Sequence, residues 1–310
     1  MVLIIPMGGL GKRFAAVGYD EVKPLITVEG KPIIAHVLDL FPGEENPIFI
    51  CREEHLLSTP MRSILMELRP KCTILPMKAH DEGPVAGLAQ VYDSLPDNEE
   101  VLVSYCDYAG LWDYEGFKSI VKSSGVDGAI PSYIGFHPHL LGPDFYGHMR
   151  WTKDPTHQID LMLEMQEKKA FTDNKMNEYG AIGLYWFKNG AMMKKYFNEA
   201  VANNYKTGHE FFCSMPYNYL IRDGLKVWIP EMTHFCQWGT PQDLEEYEYW
   251  SRLFAQLSGH PELKGKTNIP AAREVFVKPR LGTKEAHIKT FNYWADFFSR
   301  VPWHPYGKVN

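Results

Sequence analysis

Short apolar runs alternate with helix-like segments along the first third of the chain, and this alternation constrains the fold more than any other feature. The runs predict β-strands at residues 2–5, 47–51, 72–75 and 100–105. Helical spacing of apolar residues predicts helices at 31–40, from the second strand to about residue 68, and from residue 88 onward. Alternation at this spacing is typical of βαβ units. We therefore predict a doubly wound α/β fold with a mixed, mostly parallel sheet.

The second half of the chain is less regular. Its pattern predicts a helix at 210–223 and strands at 128–133, 159–166, 181–187 and 226–229. A segment rich in Gly, Pro and Lys at 258–266 separates a core domain, 1–257, from a helical C-terminal tail, 258–310. The 287–299 portion of this tail is amphipathic. It would pack on the core as a stabilising helix, which we favour, or form the interface of a homo-oligomer.

Charge and composition argue against several classes of protein. The 32 lysines and arginines stand against 38 acidic residues, giving a net charge of −6, which is unlike a binder of nucleic acid or of anionic membranes. No apolar run is long enough to span a bilayer. The five cysteines form no CxxC pair, which favours a reducing cytoplasm over a disulfide framework or zinc site. We expect residues 1–6 to form a strand rather than a targeting segment.

A glycine-rich turn directly follows the first predicted strand. Gly8, Gly9 and Gly11 allow positive φ and let backbone N–H groups approach a bound group closely. Such amides, with a helix N-terminus behind them, favour phosphate oxygens. Arg13 adds a delocalised cation that forks onto phosphates, and Lys23 adds a point-like cation. The segment predicts a phosphate site, although the turn alone is also compatible with a tight strand–helix connection.

Spacing excludes two better-known phosphate loops. A P-loop needs a glycine where Pro6 stands. A dinucleotide fingerprint that starts at Gly9 needs a glycine or alanine where Phe14 stands. The nicotinamide-dependent dehydrogenases are therefore a poor fit to this turn.

A longer series of motifs resembles the sugar-nucleotidyltransferase family, which includes glucose-1-phosphate thymidylyltransferases and phosphocholine cytidylyltransferases. The opening signature joins the glycine turn to Arg13-Phe14, Lys23-Pro24-Leu25 and Gly30-Lys31-Pro32. Further matches follow in order at Gly83-Pro84, Gly87-Leu88-Ala89-Gln90, Asp107, Tyr146-Gly147, Glu167-Lys168, Gly183-Leu184-Tyr185, Trp238-Gly239-Thr240-Pro241 and Asp243. The resemblance covers roughly residues 1–250 and leaves the tail outside.

The resemblance implies a cytoplasmic enzyme that transfers a nucleoside monophosphate from a nucleoside triphosphate to a phosphorylated small acceptor. Pyrophosphate would be the second product, Mg²⁺ the cofactor, and a sugar 1-phosphate or another phosphomonoester the acceptor. A phosphomonoester is already anionic at neutral pH, so no general base is required. The reaction needs instead a divalent metal, cations around the triphosphate and a group that holds the acceptor phosphate.

The metal site implied by the resemblance contains Asp107 and Gln237. Asp107 follows the strand at 100–105, at the strand end where α/β sheets place their ligands. Many relatives have an aspartate at the position of Gln237, and a neutral amide binds a hard cation less strongly than a carboxylate does. Asp243 and Glu210 are candidates to compensate for the missing charge.

The remaining roles also follow from the resemblance. Arg13 would bind the β- and γ-phosphates, Lys23 the α-phosphate, and Lys168 the phosphate of the acceptor. Gly147, Glu167 and Glu210 would line the acceptor pocket. The nucleotide site would consist of Met7, Gly8, Gly9, Gly11, Arg13, Glu82, Gly83, Pro84 and Gly87.

Glu82 stands where thymidylyltransferases place a glutamine that reads the base. A carboxylate only accepts hydrogen bonds, and cytosine offers an amino group where uracil and thymine offer a carbonyl. Glu82 therefore favours CTP, with dTTP and UTP as alternatives. A loop carboxylate that faces water is the competing interpretation.

A regulatory or nucleotide-sensing subunit of the same fold is an alternative from another functional class. Gln237 keeps this alternative open, because it removes a charge from the implied metal site. The joint presence of Arg13, Lys23, Asp107 and Lys168 favours an active enzyme instead.

Overall fold

The computed structural model describes residues 1–260 and 283–308. Its strands are β1 Val2–Met7, β2 Thr27–Val28, β3 Lys31–Pro32, β4 Ile48–Arg52, β5 Thr73–Met77, β6 Val101–Ser104, β7 Tyr108–Leu111, β8 Gly128–Ala129, β9 Ser132–Tyr133, β10 Gly147–Lys153, β11 Asp160–Glu167, β12 Tyr179–Ala181, β13 Leu184–Phe187, β14 Val227–Trp228 and β15 His234–Gln237. Its helices are α1 Lys12–Ala15, α2 Ile33–Leu38, α3 Glu53–Ser58, α4 Met61–Leu68, α5 Pro84–Ala89, α6 Tyr114–Ser123, α7 Gly190–Ala202, α8 Tyr217–Arg222, α9 Pro241–Leu257 and α10 Lys284–Arg300. Short 3-10 helices lie at Lys23–Leu25, Tyr92–Ser94, Pro138–Leu141, Lys175–Asn177 and Pro305–Lys308.

The described residues form one 11-stranded sheet in the order β5-β4-β1-β6-β13-β8-β14-β11-β10-β12-β9. The first four strands of this order pair in parallel, as βαβ units require. Strand β13 is antiparallel to both β6 and β8, and the strands from β11 to β9 also pair antiparallel. The predicted α/β fold with a large mixed sheet is confirmed.

Alternate side chains of β1 show why the sheet is covered on both faces. Leu3, Ile5 and Met7 belong to one hydrophobic cluster, and Ile4 belongs to another. Side chains of a strand alternate between the two faces of its sheet, so a continuous apolar run feeds two cores. The doubly wound arrangement predicted from the apolar runs follows from this packing.

Most predicted strands occur within two residues of their expected bounds. The runs at 128–133 and 181–187 are each split instead into two strands. Pro131, which has no backbone N–H, separates β8 from β9. Gly183, with φ +90°, separates β12 from β13. In both cases one residue moves the chain from one part of the sheet to another.

The helix predictions needed more correction. The helix predicted to end near residue 68 is interrupted at Pro60 and forms α3 and α4. The helix predicted from residue 88 onward begins earlier, at Pro84. The helix predicted at 210–223 is wrong in its first half, because Pro216 stands at the N-cap and only α8 is helical.

The amphipathic tail forms α10, which packs on α9. Trp294, Phe297 and Phe298 are buried in the same hydrophobic cluster as Tyr247 and Trp250. Residues 261–266 of the predicted linker lie outside the described residues. Within the described ranges, every helix is too short or too polar to cross a lipid bilayer.

Candidate functional site

A cleft of about 400 Å³ opens at the carboxyl ends of β1 and β6. Its lining includes all the site residues expected from the sequence except Glu82 and the candidate ligand Asp243, namely Met7, Gly8, Gly9, Gly11, Arg13, Lys23, Gly83, Pro84, Gly87, Asp107, Gly147, Glu167, Lys168, Glu210 and Gln237. These residues come from both halves of the chain. The fold therefore brings the two groups of motifs into one concave site.

The glycine turn leads from β1 into α1 on one wall of the cleft. Gly11 adopts φ +62° and stands at the N-cap of α1, and its carbonyl accepts hydrogen bonds from the backbone N–H groups of Phe14 and Ala15. The N–H groups of Gly9 and Leu10 donate to no residue that the structure describes. Two such open donors beside a cleft are suited to phosphate oxygens.

Arg13 extends from this turn and makes no ion pair within residues 1–260 and 283–308. Its guanidinium lies 5.4 Å from the centre of the Phe145 ring, over the ring face. The cation therefore lies beside the cleft without an acidic partner among the described residues, and it is available to an anionic ligand.

Lys23 and Asp107 form the central ion pair of the cleft. Lys23 Nζ lies 2.7 Å from Asp107 Oδ2, and the two side chains are only 21% and 17% exposed. Burial lowers the pKa of Lys23, but Asp107 and, to a lesser extent, Cys106 together raise it above its usual value. The ammonium therefore stays charged and acts as the counter-ion of Asp107.

The side chains of Gln237 and Asp107 both lie next to Gly239. Strand β15 pairs antiparallel with β7, which places Gln237 opposite Tyr108, next to Asp107 in the chain. A Cβ added to Gly239 would lie 2.6 Å from Gln237 Nε2 and 3.0 Å from Asp107 Oδ2. Only glycine leaves this space open between the amide and the carboxylate.

This donor set fits a magnesium ion. Mg²⁺ in phosphate-transfer sites is commonly held by one or two protein oxygens, with phosphate oxygens and waters completing the octahedron. Asp107 supplies a carboxylate, and rotation of its amide group lets Gln237 supply a carbonyl oxygen. Among the described residues no group of three or more His, Cys, Asp or Glu side chains could hold a metal. Further ligands would come from the substrate.

Asp243 and Glu210 do not replace the missing carboxylate in this geometry. Asp243 is buried, and its carboxylate accepts hydrogen bonds from the hydroxyls of Tyr146 and Thr240, at 3.0 and 2.6 Å. Glu210 lines the cleft but pairs with Lys168, with 3.2 Å between Oε2 and Nζ. Asp243 therefore positions Tyr146 and the start of α9.

Lys168 stands at a bend after β11. Its φ is +58°, and its backbone N–H donates to the carbonyl of Tyr146 at 3.0 Å. The ammonium lies 4.5 Å from the centre of the Phe212 ring, over the ring face, and also pairs with Glu210. The bend turns this cation into the cleft, where an anionic ligand would compete with Glu210 for it.

Glu167 is the buried acid of the cleft. Burial raises the pKa of Glu167 to about 7, although a hydrogen bond from Ser214 and the charge of Lys168 act in the opposite direction. Gly147 lies opposite Glu167 in the β10–β11 pair, and a Cβ there would lie 3.0 Å from Glu167 Oε1. Gly147 thus leaves room for the carboxyl group.

The loop before α5 forms a part of the wall beside the glycine turn. Gly83 has φ +88°, and a Cβ on it would lie 2.8 Å from the carbonyl oxygen of Phe211. The carbonyl of Glu82 accepts a hydrogen bond from the backbone N–H of Phe211 at 2.8 Å. Pro84 then starts α5, with its fixed φ suited to a first helical turn.

Glu82 does not enter the cleft. Its side chain is 53% exposed and pairs with Lys206, with 3.0 Å between Oε1 and Nζ. The geometry therefore does not support a base-reading role for this carboxylate. The loop has no regular periodicity, so the direction of this side chain could not be predicted from the sequence.

Two residues that line the cleft were missed by the sequence-based prediction. Arg52, at the end of β4, is 2% exposed, and its guanidinium donates to the backbone carbonyls of Gly8 and His80. His80 itself lines the cleft. Arg52 was detectable as a charged residue at the carboxyl end of a predicted parallel strand.

Comparison with known proteins identifies solved structures of the same fold and one matching family. No curated protein sequence matches the chain. Solved structures share the fold at low sequence identity. A nucleoside-diphosphate-sugar pyrophosphorylase from Vibrio cholerae RC9 is 18% identical, with a TM-score of 0.62 over 78% of this chain and 97% of that one. A putative glucose-1-phosphate thymidylyltransferase from Bacillus anthracis is 16% identical, with a TM-score of 0.60 over 79% and 93%.

The inositol-1-phosphate CTP transferase from T. maritima is 12% identical, with a TM-score of 0.57 over 78% of this chain and 90% of that one. These identities establish the fold alone. The family match is more specific, because residues 3–164, just over half of the 310 residues, match the MobA-like NTP transferase domain. The chain belongs to the family of MobA-like NTP transferase domains and is a nucleotidyltransferase.

Proposed function

We propose that the chain transfers a nucleoside monophosphate from a nucleoside triphosphate to a phosphorylated small molecule, with Mg²⁺ as cofactor. One observation carries the proposal. A single cleft holds the glycine turn with Arg13, the Lys23–Asp107 pair and the cation Lys168. Two anionic substrates would meet between these cations.

The reaction balances without a proton-transfer group. An oxygen of the acceptor phosphate attacks the α-phosphorus of the triphosphate and forms a new P–O bond. The bond from the α-phosphorus to the bridging β-oxygen breaks, and pyrophosphate leaves with the electron pair. The attacking oxygen is already ionised at neutral pH, so the protein has to position and neutralise charge rather than remove a proton.

The donor side would bind the triphosphate through backbone and cations. The open N–H groups of Gly9 and Leu10 would donate to phosphate oxygens, and Arg13 would neutralise charge that develops on the leaving pyrophosphate. Lys23 would do the same at the α-phosphate, from a position fixed by Asp107.

Asp107 and Gln237 would hold the magnesium ion, over the space that Gly239 leaves open. The bound ion supplies Lewis-acid stabilisation of charge on the phosphates. Asp107 thus has two functions in the proposal, as a metal ligand and as the group that orients Lys23.

The acceptor side would be built around Lys168. The acceptor phosphate would replace Glu210 as the partner of the Lys168 ammonium. Glu210 would then accept a hydrogen bond from another part of the acceptor. Glu167, with its raised pKa, offers a buried carboxyl group beside it. A sugar 1-phosphate or another phosphomonoester with hydroxyl groups fits this combination of one cation and two carboxyl groups. The preference for CTP that the sequence predicted rested on Glu82. Because Glu82 lies outside the cleft, it no longer supports that preference.

Pyrophosphate release measured over ATP, GTP, CTP, UTP and dTTP, each with a panel of phosphorylated acceptors, tests the proposal. We expect release that requires Mg²⁺, one nucleotide class and one acceptor class. Binding of nucleotides without release for any acceptor would favour the regulatory alternative. The same assay on Lys188→Ala, a surface lysine that pairs with Asp127, gives the baseline for a lysine outside the cleft.

A further inference from the structure

Phe145 is a partly exposed aromatic side chain in the cleft. It lies between the 3-10 helix Pro138–Leu141 and β10, lines the cleft and is 37% exposed. The guanidinium of Arg13, in α1, lies over the face of its ring, 5.4 Å from the ring centre. The contact therefore joins the segment that carries the glycine turn to a loop that is remote from it in the sequence.

The residues on either side of Phe145 are hydrogen-bonded to other segments. Asp144 accepts a hydrogen bond from the ammonium of Lys175 at 2.6 Å. The backbone carbonyl of Tyr146 accepts one from the backbone N–H of Lys168 at 3.0 Å. Because both neighbours are held in this way, the Phe145 ring has a defined position beside α1.

An aromatic ring and an acidic side chain have different effects on an arginine. A carboxylate would occupy the N–H groups of the guanidinium and neutralise its charge. A ring face attracts the cation electrostatically and leaves those N–H donors to a ligand. A ligand that binds an unrestrained arginine also has to select one of many rotamers, at an entropic cost. The ring lowers this cost for Arg13, because it favours one placement of the guanidinium before the ligand arrives.

We propose that Phe145 is a positioning residue, which keeps the Arg13 guanidinium in place for the β- and γ-phosphates of a nucleoside triphosphate. It acts through Arg13 and does not touch the reacting atoms. This inference rests on the proposed function, since it requires that Arg13 bind the triphosphate. It adds to the donor side a residue of the loop whose backbone also bonds to Lys168.

Equilibrium binding, measured by calorimetry with Mg²⁺ and no acceptor, tests this role. The probes are whichever of ATP, GTP, CTP, UTP and dTTP the wild type binds most tightly, and the corresponding nucleoside monophosphate. Phe145→Leu keeps an apolar side chain but removes the ring, and should weaken triphosphate binding about two- to fivefold, the range of one exposed cation–π contact. Monophosphate binding should not change, because this ligand lacks the β- and γ-phosphates. Phe145→Tyr, which keeps the ring, should bind both ligands as the wild type does.

A double-mutant cycle with Arg13→Gln shows whether the ring acts through the guanidinium. Arg13→Gln alone should weaken triphosphate binding, and adding Phe145→Leu to it should have no further effect. Phe171→Leu is the matched control. The Phe171 ring also has a guanidinium over its face, that of Arg150 at 4.6 Å from the ring centre, but it does not line the cleft. This control should leave both affinities unchanged.

Four results in folded variants would overturn the inference while leaving the proposed function intact. They are wild-type triphosphate affinity in Phe145→Leu or in Arg13→Gln, equal weakening in Phe145→Tyr, equal weakening for the monophosphate, and a full effect of Phe145→Leu in the Arg13→Gln background. Failure of every nucleotide to bind to the folded wild-type chain would overturn both the inference and the proposed function.

Discussion

At the scale of single residues, the ion pair of Lys23 and Asp107 allows the effect of a substitution on turnover to be predicted. Asp107→Asn removes the counter-ion of Lys23 and the carboxylate that we propose as a metal ligand, and we expect kcat to fall by roughly 100-fold or more, about 3 kcal/mol. The fold should persist, because the backbone carbonyl of Asp107 still accepts from the N–H of Trp238.

Pyrophosphate release at saturating Mg²⁺ measures this effect. Asp97→Asn, at an exposed aspartate that pairs with Lys194, provides the control. Near-wild-type turnover of the Asp107 variant would remove this residue from the mechanism.

Lys168 should act on the acceptor rather than on the nucleotide. Lys168→Ala is expected to raise the acceptor KM, and to lower kcat where the contact also orients attack, with little change in nucleotide affinity. Initial rates at varied acceptor and fixed nucleotide measure both constants. If the variant instead binds nucleotide weakly and acceptor normally, the two sides of the cleft have been assigned in reverse.

The raised pKa of Glu167 makes the stability of the fold depend on pH. Its native pKa of about 7 lies above its ordinary value of 4.5, so the folded chain retains a proton that the unfolded chain loses. Stability from this group is therefore present below about pH 4.5 and is lost as the pH rises through 7. Between pH 5 and pH 8 the wild type should lose on the order of 2–3 kcal/mol relative to Glu167→Gln.

Denaturant unfolding of both proteins at the two pH values measures the difference, and charges elsewhere cancel in the comparison. If the free energy of unfolding changed equally with pH in the two proteins, the Glu167 carboxyl group would have an ordinary pKa in the native state.

Residue types were easier to predict from the sequence than side-chain directions. Motif spacing identified Asp107 and Lys168 as residues of one cleft, because both follow strands that end at it. Glu82 and His80 lie two positions apart in an irregular loop, where no periodicity fixes which side chain faces inward. That direction depends on Arg52 and on the backbone of Phe211, contacts that span 28 and about 130 residues of sequence.

At the scale of elements, the loop before α5 depends on the backbone of Gly83. Gly83→Ala would force an alanine into φ +88° and place its Cβ 2.8 Å from the Phe211 carbonyl oxygen. Gly43 has the same φ of +88° but open space around its Cβ position, so Gly43→Ala reports the cost of the backbone conformation alone.

We expect Gly43→Ala to destabilise the fold by about 1 kcal/mol, and Gly83→Ala to destabilise it further and to weaken nucleotide binding. Thermal unfolding and nucleotide titration of the two variants separate these effects. Equal behaviour of the two variants would show that the loop relaxes around the added methyl group at no cost.

The sequence predicted strands better than helices, for a physical reason. Buried parallel strands are continuous apolar runs, and they were found within two residues. Helix bounds were set instead by prolines that override the apolar spacing, at Pro60 and Pro216. The irregular stretch from Glu210 to the start of α8 contributes Glu210 and Phe212 to the cleft, and its path is determined by contacts such as Val85 with Phe211 rather than by local propensity.

At the scale of the whole molecule, α10 is part of the hydrophobic core that α9 forms. Trp294 on α10 is 4% exposed and packs against Tyr247 of α9. Trp294→Ala should lower the free energy of unfolding by about 3–5 kcal/mol. Ile288→Ala, on the same helix but 51% exposed, should change it by less than about 0.5 kcal/mol. Chemical denaturation measures both, and a small effect of the tryptophan substitution would mean that α10 detaches before the core unfolds.

The course of β13 has a consequence for motion. This strand is hydrogen-bonded to β6 on one side, near Asp107, and to β8 on the other, towards β11, which Lys168 follows. Hinged closure of two lobes would have to break this continuous ladder. We therefore expect ligand-induced movement to be confined to loops and side chains next to the sheet. The radius of gyration in solution should stay constant when both substrates bind, and the alignment of the reacting phosphates would be set when the chain folds.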